Sequence, residues 1–234
     1  VGVFPEKYWP SGIGVNGYVT IGSKKMSKSK GNFKTLRDVI KAYSPDIVRI
    51  SILSNGEEMD DVDWDSEFAA SMTIKLEQWF DFAIKNYATN GSTHPRKEID
   101  KWMEHQLNCC VRDATLAMDA TLFRTALQRG FFDLQRHLKW YSRRTAGKMN
   151  PEVMSAIIDA QTRMLAPFVP HLCEEIWMKI EKIGSIVNDS WPLADESKII
   201  PSLDTTENMM VNVLDDVNQV LKLAKVEHPI LVTL

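Results

Sequence analysis

Apolar residues recur along most of the chain at spacings of three and four, the pattern of an amphipathic helix. A capping signal at Thr35 opens the first predicted helix, whose apolar face starts at Leu36, and Ser44-Pro45 opens the second. Two longer stripes follow at 68–87 and at 99–114. The pattern predicts a mainly helical protein, and short connections between the stripes favour an antiparallel bundle.

The same spacing continues through the second half of the chain. A third long helix is predicted over about 116–144, with Phe123 and Tyr141 in its buried stripe. Asn150-Pro151 starts a fourth helix, and a helical pattern resumes at 171–181 after two prolines. Methionine and aromatic residues of these stripes are assigned to the core, so they receive no ligand-binding role.

The two ends of the chain depart from the helical pattern. Residues 1–25 contain two prolines and five glycines around short apolar runs at 15–21, which indicates a hairpin or the edge of a sheet. A helix predicted over 206–226 is followed by His228-Pro229 and a strand signal at 230–234. Because neither end supplies a partner for these strands, we expect a fragment truncated on both sides.

Composition and charge narrow the class of protein only modestly. With 234 residues, 44% hydrophobic and 25% charged, the chain has the composition of a globular protein of one or two domains. Its net charge of -3 means that any site for a polyanion must come from local clustering of cations. Cys109, Cys110 and Cys173 form no CxxC pair, and no transmembrane or signal segment is recognised, so a cytoplasmic location is expected.

Basic clustering is strongest in KKMSKSKGNFK at 24–34, which we call the lysine loop. It holds five lysines without an intervening acid. An ammonium on a flexible stem is a movable charge, and Ser27, Ser29 and Gly31 add hydroxyl donors and backbone freedom. Such a loop can close on a polyphosphate and stabilise its transition state. For a lysine run alone, a solvated linker or a localisation signal is the alternative.

The acidic run at 57–67 superficially resembles the start of a calcium-binding loop. That interpretation fails, because the sixth and twelfth positions counted from Asp61 are Ser66 and Met72 instead of glycine and glutamate. Asp63 or Asp65 is predicted to cap a helix, with Trp64 packed beneath and the remaining acids on a solvated surface.

No metal site or nucleophilic triad is predicted. His171, Cys173 and Glu174 lie within one helical turn, but zinc requires three or four ligands, and neither a second cysteine pair nor an HExxH arrangement is present. A structural role for His171 after Pro170 is therefore favoured.

A second basic stretch lies near the end of the third predicted helix. Arg129, Arg136 and Arg143 are seven residues apart, which places them along the side opposite the apolar stripe, and Lys139 and Arg144 lie beside them. From these residues alone a solvated face is favoured. A surface for RNA phosphates is the alternative, since such contacts need only positive charge at helical repeats.

Several motifs carry a family resemblance. KMSKSKGN at 25–32, followed by the capped helix and DIVR at 46–49, resembles the second signature of class I aminoacyl-tRNA synthetases. LAPFVPHLCEEIW at 165–177, followed by NDSWP at 188–192, resembles the helical anticodon-binding domain of the valine, isoleucine and leucine enzymes. Further stretches, including FRTALQRGFFDLQ at 123–135, are similar to leucyl-tRNA synthetases of the archaeal and eukaryotic cytosolic type.

The resemblance implies a mobile ATP-binding loop formed by Lys25, Met26, Ser27, Lys28 and Ser29. Lys28 is the first choice for contacting the phosphates while leucine attacks the α-phosphate, with Lys25 as the supporting cation. ATP with Mg²⁺ is then a substrate of the whole enzyme. No magnesium ligand can be named, and the fragment alone is expected to bind no cofactor. Because no HxGH motif, leucine pocket or editing domain is found, the fragment is expected to be inactive alone.

The resemblance also implies tRNA(Leu) as the partner of the bundle. The family role would fall on the five basic residues of the second stretch, which are Arg129, Arg136, Lys139, Arg143 and Arg144. Leucine and ATP would bind through the missing catalytic half. A monomer without membrane contact is expected.

Four parts follow from the resemblance. Residues 1–34 would end the catalytic domain, 35–66 would form a connecting helical region, 67–200 the anticodon-binding-type bundle, and 201–234 the start of a truncated α/β C-terminal domain. A valyl- or isoleucyl-tRNA synthetase fragment remains an alternative. Residues upstream of this sequence would distinguish it from a leucyl-tRNA synthetase fragment. A non-catalytic helical RNA-binding module is another, and it predicts a reading frame that starts near Val1.

Overall fold

A small sheet near the start of the chain carries the lysine loop. The structure, a computed structural model, describes residues 4–10, 12, 15, 17–88 and 95–224. Strands β1 (Val19–Ile21), β2 (Lys24–Lys25) and β3 (Val62–Asp63) form a sheet in the order β2-β1-β3. β1 is antiparallel to β2 and parallel to β3, which supports the predicted hairpin at this end.

The β1–β2 hairpin closes through a two-residue turn. Gly22 and Ser23 both have φ of 58°, as a type I′ turn requires, and Ile21 pairs with Lys24 across it. The Asp63 carboxylate accepts hydrogen bonds from Ser23 N at 3.0 Å and from Thr20 Oγ1 at 2.7 Å. Asp63 therefore anchors the turn that leads into the lysine loop.

The acidic run is mostly exposed, as predicted, but Glu57 is half-buried and two of its acids bind distant segments. Asp61 accepts a hydrogen bond from Tyr18 N at 2.7 Å, and Glu57 accepts from the backbone and hydroxyl of Thr125, both at 2.9 Å. Asp65 caps α3 as predicted, accepting from Glu67 N and Phe68 N, and Trp64 is buried. The partners of Asp61 and Glu57 lie more than forty residues away along the chain, so local sequence gives no sign of them.

Nine α-helices make up most of the described chain. Residues at helix starts explain several bounds: Thr35 accepts from Asp38 N at 3.1 Å, and Asn150 accepts from Glu152 N at 3.0 Å. The helices are α1 (Leu36–Tyr43), α2 (Pro45–Asn55), α3 (Ser66–Asn86), α4 (Glu98–Asp119), α5 (Phe123–Leu127), α6 (Leu134–Arg144), α7 (Pro151–Leu165), α8 (Pro170–Lys179) and α9 (Ser202–Ala224). Short 3₁₀ turns occupy Glu6–Tyr8, Lys28–Lys30, Ile186–Asn188 and Glu196–Lys198.

The single helix predicted over 116–144 is wrong. α4 continues to Asp119, and the chain then turns at Thr121, whose φ is 59°, before α5 begins. Neither glycine nor proline marks this turn, so the apolar spacing runs through it without a break. Phe123, the first residue of α5, is 39% exposed instead of buried, and Leu36, the first residue of α1, is 65% exposed.

A π-helical segment, Gln128–Asp133, joins α5 to α6. Such a segment leaves backbone carbonyls without the usual helical partner. The fully buried Gln161 amide of α7 donates to the carbonyls of Gly130 at 3.1 Å and Phe131 at 3.4 Å. Gly130 also lets α7 approach, since a Cβ there would lie 3.2 Å from Met164 Sδ. Carbonyls of the π-helical segment thus receive their hydrogen bonds from a side chain of another helix.

The core runs through α3, α4, α6, α7 and α8. The predicted apolar stripes supply it, and its large, fully buried side chains include Trp177, Tyr141, Phe131, Met72, Met103 and Ile157. Within it, Tyr141 Oη donates to the buried Asp100 carboxylate and accepts from Asn150 N at 2.9 Å. These bonds tie α4, α6 and the start of α7 together.

α2 connects the sheet region to the bundle at the corner between α7 and α8. Arg49 donates to the carbonyls of Pro167 at 2.6 Å and Phe168 at 3.3 Å. Asp46 accepts from Leu172 N at 2.8 Å and from His171 Nδ1 at 2.7 Å. A cation thus meets the end of one helix and an anion the start of the next, as their dipoles favour. The contact fits the structural role predicted for His171.

Two acids of α9 bind side chains of α4 and α6. Asp204 bonds His105 Nε2 at 3.0 Å and Gln106 Nε2, and Glu207 accepts from Arg144 Nε at 2.9 Å. The predicted loop at 90–95 lies mostly outside the described residues, and the predicted strand at 230–234 lies wholly outside them.

Candidate functional site

The lysine loop is closed by one amide side chain. Asn32 Oδ1 accepts from Ser27 N at 2.9 Å, and Asn32 Nδ2 donates to the Lys25 carbonyl at 3.2 Å. Between these points the chain makes a 3₁₀ turn at Lys28–Lys30, and Gly31 follows with φ of 69°, in the left-handed region that favours glycine. Asn32 therefore holds both sides of a tight loop.

The loop side chains divide into one apolar anchor and several exposed polar groups. Met26 lines an apolar hollow of about 260 Å³ beside Ile21 and Trp64. The hydroxyls of Ser27 and Ser29 lie 2.8 Å apart. The family interpretation grouped Met26 with the ligand-contacting residues, whereas its side chain faces this hollow and can hold the loop against the sheet.

The lysines of the loop are exposed and lack acidic partners. Among the salt bridges formed by the described residues, none includes Lys24, Lys25, Lys28, Lys30 or Lys34. Lys25 Nζ lies 4.3 Å from the Tyr18 ring centroid, and Lys28 Nζ lies 5.3 Å from that of Phe33. Aromatic faces hold a cation weakly at exposed sites. These ammonium groups can therefore leave the rings for a stronger anion.

This set of donors fits the phosphates of a nucleoside triphosphate. Exposed ammonium groups, two hydroxyls and a glycine-containing turn are gathered over residues 25–32, and no acid interrupts them. Lysine, serine and backbone N–H groups are the usual donors to phosphate oxygens. The loop contains no carboxylate that could bind Mg²⁺, so a magnesium ion would reach it only with the nucleotide.

The second candidate site is a groove between α4, α6 and α9, which we call the α6 groove. Its volume is about 620 Å³. The structure brings Arg136, Lys139 and Arg143 to its wall, but not Arg129 or Arg144. The remaining lining residues are Trp102, Gln106, His137, Trp140, Asp204, Glu207, Asn208 and Val211.

The five arginines and lysines predicted to contact RNA are therefore not equivalent. Arg129 Nη1 pairs with Asp133 at 2.9 Å, and Arg136 shares the same carboxylate at 3.2 Å. Arg144 is held by Glu207, and this hydrogen bond raises its pKa. Lys139 and Arg143 have no salt bridge to another described residue, and the Arg143 guanidinium lies 5.8 Å from the Trp140 ring centroid. Arg144 thus has a structural contact, while Lys139 and Arg143 keep their charge available.

His137 is neutral in the α6 groove at physiological pH. Burial lowers its pKa to about 4, and the positive charge of Arg136 adds to the effect. Its ring packs edge-on against Trp102, with centroids 5.7 Å apart. A neutral imidazole offers one donor and one acceptor, so His137 can bond a polar ligand without charge.

The three thiols are not candidates for catalysis. Burial raises the pKa of Cys109, Cys110 and Cys173 above the usual value, so each stays protonated. Among the described residues no cluster of three or more histidine, cysteine or acidic side chains could hold a metal ion. No helix in the part of the chain that the structure describes is long and apolar enough to span a membrane.

Sequence reasoning missed several residues of both sites. Asn32 stands in the family motif, but nothing local indicates that its amide bridges Ser27 and Lys25. The sequence gives no functional role to Trp102, His137, Trp140 or Asn208. The only signal available was the mixture of aromatic and basic residues at 136–144, which acquires a meaning only once α9 forms the opposite wall.

Comparison with known proteins places both regions in context. A family profile described as the anticodon-binding domain of tRNA ligase matches residues 100–230. A second profile, described as the class I (C) catalytic domain of tRNA synthetases, matches residues 5–70. The two matches fall on the α4–α9 region and on the sheet region, respectively.

Individual relatives carry a more specific name. The leucine–tRNA ligase of Aeropyrum pernix is 37% identical over 223 residues, covering 94% of this chain and 23% of that protein. The leucine–tRNA ligase of Pyrococcus furiosus is 35% identical, covering 97% of this chain and 24% of that protein. The chain thus spans about a quarter of the length of the curated relatives that it matches.

A solved structure supports the fold. It is the LeuRS of Agrobacterium radiobacter K84 agnB2, determined as a ternary complex with tRNA and LeuAMS. The TM-score is 0.68 at 23% identity, over 79% of this chain and 24% of that one. At this identity the likeness establishes the fold alone.

Proposed function

The chain belongs to the family of tRNA ligases defined by this anticodon-binding domain, and we propose that it forms part of a leucine–tRNA ligase. Such an enzyme activates leucine with ATP and transfers it to tRNA(Leu). The proposal is supported by leucine–tRNA ligases of several archaea, which match 94–98% of this chain. These relatives favour the leucine enzyme over the valine and isoleucine alternatives.

The observation that carries the proposal is the set of exposed lysines on the loop closed by Asn32, none of which forms a salt bridge with another described residue. We propose that Lys28 contacts the phosphates while the leucine carboxylate attacks the α-phosphate and pyrophosphate leaves, and that Lys25 assists. The negative charge on the departing oxygens grows during this step, so a cation that meets it lowers the barrier. Ser27 and Ser29 would add hydroxyl donors, and Met26 would anchor the loop. Magnesium would arrive with ATP.

For the bundle we propose contact with tRNA through the α6 ridge of Arg136, Lys139 and Arg143. Arg129 would add charge at the same side, while Arg144 would act indirectly by holding α9. We also propose the division into parts at 1–34, 35–66, 67–200 and 201–234, a monomeric state and a cytoplasmic location. The chain alone would lack the leucine site and so would not form leucyl-adenylate.

The loop proposal is tested by Lys28→Ala in the full-length enzyme. Loss of one preorganised contact to developing charge removes roughly 3 kcal/mol of transition-state stabilisation, so leucine-dependent ATP–pyrophosphate exchange should slow about a hundredfold. Binding of tRNA should change much less, because the α6 ridge is unaltered. Exchange kinetics and tRNA titration measure the two effects.

Two matched variants serve as controls for this test. Lys28→Arg keeps the positive charge and should retain more activity than Lys28→Ala, while Lys41→Ala removes an exposed cation of α1 outside the loop and should leave exchange unchanged. Unaltered exchange in Lys28→Ala would refute the role of the loop.

The bundle proposal is tested by neutralising two cations together, Arg136→Gln with Arg143→Gln. Each lost phosphate contact lowers the slope of log affinity against log salt by roughly 0.7 to 0.9, so tRNA binding should weaken at low salt and become less salt-dependent. The control is Lys85→Gln with Lys179→Gln, which removes two exposed cations of α3 and α8 outside the α6 groove. Equal salt slopes in all three proteins would support a merely solvated face.

A further inference from the structure

The hairpin that carries the lysine loop is short and its turn is strained. β1 and β2 pair through two residues each, Thr20 with Lys25 and Ile21 with Lys24. A two-stranded hairpin alone is at best marginally stable in water. Ser23 in the turn has a φ of 58°, which is uncommon for a residue with a side chain. The position of the loop therefore depends on contacts from outside the hairpin.

One carboxylate oxygen supplies such a contact. Asp63 Oδ1 accepts from Ser23 N in the turn, at 3.0 Å, and from Thr20 Oγ1 in β1, at 2.7 Å. Because the strained residue itself is the donor, this bond holds the turn in its uncommon conformation. Both donors are uncharged, and Asp63 Oδ2 makes no hydrogen bond with a described residue. The contact thus needs an acceptor at one place and does not need a negative charge.

Asp63 is itself fixed by the strand that carries it. Its neighbours in the chain, Val62 and Trp64, are buried, with exposed fractions of 3% and 7%. Their backbone N–H groups donate to the carbonyls of Tyr18 and Thr20, both at 2.8 Å. β3 is therefore anchored in the core on one face, while Asp63 projects from the other face toward the hairpin turn.

A second acid of the same segment supports the other end of β1. Asp61 accepts from Tyr18 N at 2.7 Å, and the Tyr18 ring centroid lies 4.3 Å from Lys25 Nζ. The chain comes so close here that a Cβ at Gly17 would collide with Asp61 Oδ1. Asp61 thus fixes the backbone of the residue whose ring holds Lys25.

A shift of the hairpin turn would reach Lys28. The turn leads through β2 directly into the 3₁₀ turn that starts at Lys28, and Asn32 closes the loop so that it moves as one unit. Contacts to developing charge are sensitive to position, and a misplacement of about 1 Å can cost roughly a hundredfold in rate. Residues that aim the loop can therefore affect the rate without contacting the nucleotide.

We propose that Asp63 and Asp61 are positioning residues of the lysine loop. Asp63 sets the position of Lys28 through the hairpin turn, and Asp61 sets that of Lys25 through Tyr18. This inference rests on the proposed function, in which these lysines meet the phosphates of ATP, and it adds the groups that aim them. It also gives part of the acidic run a role that requires no metal ion.

The test measures leucine-dependent ATP–pyrophosphate exchange in the full-length enzyme. Asp63→Ala should lower kcat about tenfold and leave the KM for leucine within about twofold, because only the loop is displaced. Asp61→Ala should lower kcat about threefold, since Val62 N still holds the Tyr18 carbonyl. The matched control is Asp81→Ala, which removes an exposed acid of α3 and should change neither constant.

Two further variants separate position from charge. Asp63→Asn removes the charge but keeps an oxygen for both donors, so exchange should stay within about twofold of the unaltered enzyme. Asp63→Glu keeps the charge but is one methylene longer, so exchange should slow about fivefold. The opposite order, with Asp63→Asn slower than Asp63→Glu, would show an effect of charge and would overturn the inference.

A double-mutant cycle with Lys28 distinguishes positioning from a merely structural role. When Lys28→Ala is already present, adding Asp63→Ala should slow exchange by less than about twofold, because the cation that Asp63 aims is gone. Independent losses that multiply would overturn the inference. Binding of tRNA by Asp63→Ala should equal that of the unaltered enzyme. If this variant fails to fold, the same cycle with Asp63→Glu decides.

The outcomes also separate this inference from the proposed function. Unchanged exchange in Asp63→Ala, together with slow exchange in Lys28→Ala, would overturn the positioning role and leave the proposed function standing. Unchanged exchange in Lys28→Ala would overturn both.

Discussion

The lysine loop and the helix bundle both use side chains to hold backbone groups, but they differ in burial. In the loop, Asn32 bridges Ser27 and Lys25 close to solvent. In the bundle, Tyr141 and Asp100 have exposed fractions of 0% and 2% and tie α4 to α6. Water competes with such bonds only where it can reach them. The same kind of contact therefore leaves the loop adjustable and makes the bundle rigid.

The charged groups of the two regions differ in the same way. Arg129 and Arg136 share the buried Asp133, and Arg144 is bound to Glu207, so these cations are held in position. The lysines of the loop have only aromatic faces and a hydroxyl as neighbours among the described residues. The proposed closure of the loop on a polyphosphate would need charges that are free to move, whereas the proposed contact with RNA would need charges in fixed places.

The largest effect on stability should come from Tyr141→Phe, which removes the buried hydrogen bonds of the bundle. The change removes a donor from the buried Asp100 carboxylate and an acceptor from Asn150 N, and it should lower the free energy of unfolding by about 2 to 3 kcal/mol. Urea unfolding measures it. Tyr8→Phe, at a ring that is 66% exposed, is the matched control and should change nothing. A loss below about 0.5 kcal/mol would show that burial does not strengthen this contact.

A change of intermediate size is expected in the pH dependence of stability. It arises in the bundle, because burial there lowers the pKa of His137 on folding. The pKa of His137 falls from 6.5 to about 4 on folding, so between these values the unfolded chain holds a proton that the folded one lacks. Stability is therefore lost as the pH falls through this window. For a partly buried ring the loss should be about 1 to 2 kcal/mol.

The measurement compares urea unfolding of the unaltered chain and of His137→Gln at pH 7 and at pH 4. The variant lacks the titrating group, so its stability should fall by less over the same interval. Parallel falls in both proteins would contradict a buried, neutral His137.

The smallest effect on stability should come from Asn32→Ala in the loop. Because one of its two bonds is exposed and the other is only part-buried, the free energy of unfolding should change by about 0.5 kcal/mol or less. The amide of Ser27 should nevertheless exchange faster with deuterium, since its acceptor is gone. Asn32→Asp keeps an acceptor for Ser27 N and should give intermediate exchange. A destabilisation as large as that of Tyr141→Phe would remove the distinction between the two regions.

Much of the fold was predictable from local signals. The stripes at 68–87 and 99–114 became α3 and α4, and the caps at Thr35, Asp65 and Asn150 start their helices as expected. The error over 116–144 arose where Thr121 adopts a left-handed conformation without glycine, while the apolar spacing continues. A tertiary contact, the Gln161 amide at the π-helical segment, satisfies the irregular backbone that follows.

The residue types of the candidate sites were predictable from the sequence, but the contacts between these residues were not. The lysine cluster and its family motif are visible in the sequence, as are the basic residues of α6. The roles of Asn32, Asp61 and Glu57 were not, because their partners are chosen by packing and not by helical or strand period. Arg144 stood among the predicted RNA contacts, yet its partner Glu207 lies sixty-three residues away.

The sequence by itself determined most of the helices, several of their caps, the lysine loop and the family signatures, because each depends on residues only a few positions apart. Only the tertiary structure decided which cations remain free, which acids support the sheet, and that α9 turns one face of α6 into a groove. Those outcomes depend on contacts between distant segments. Burial in turn sets the strength of each contact, since it determines whether water can replace the partner.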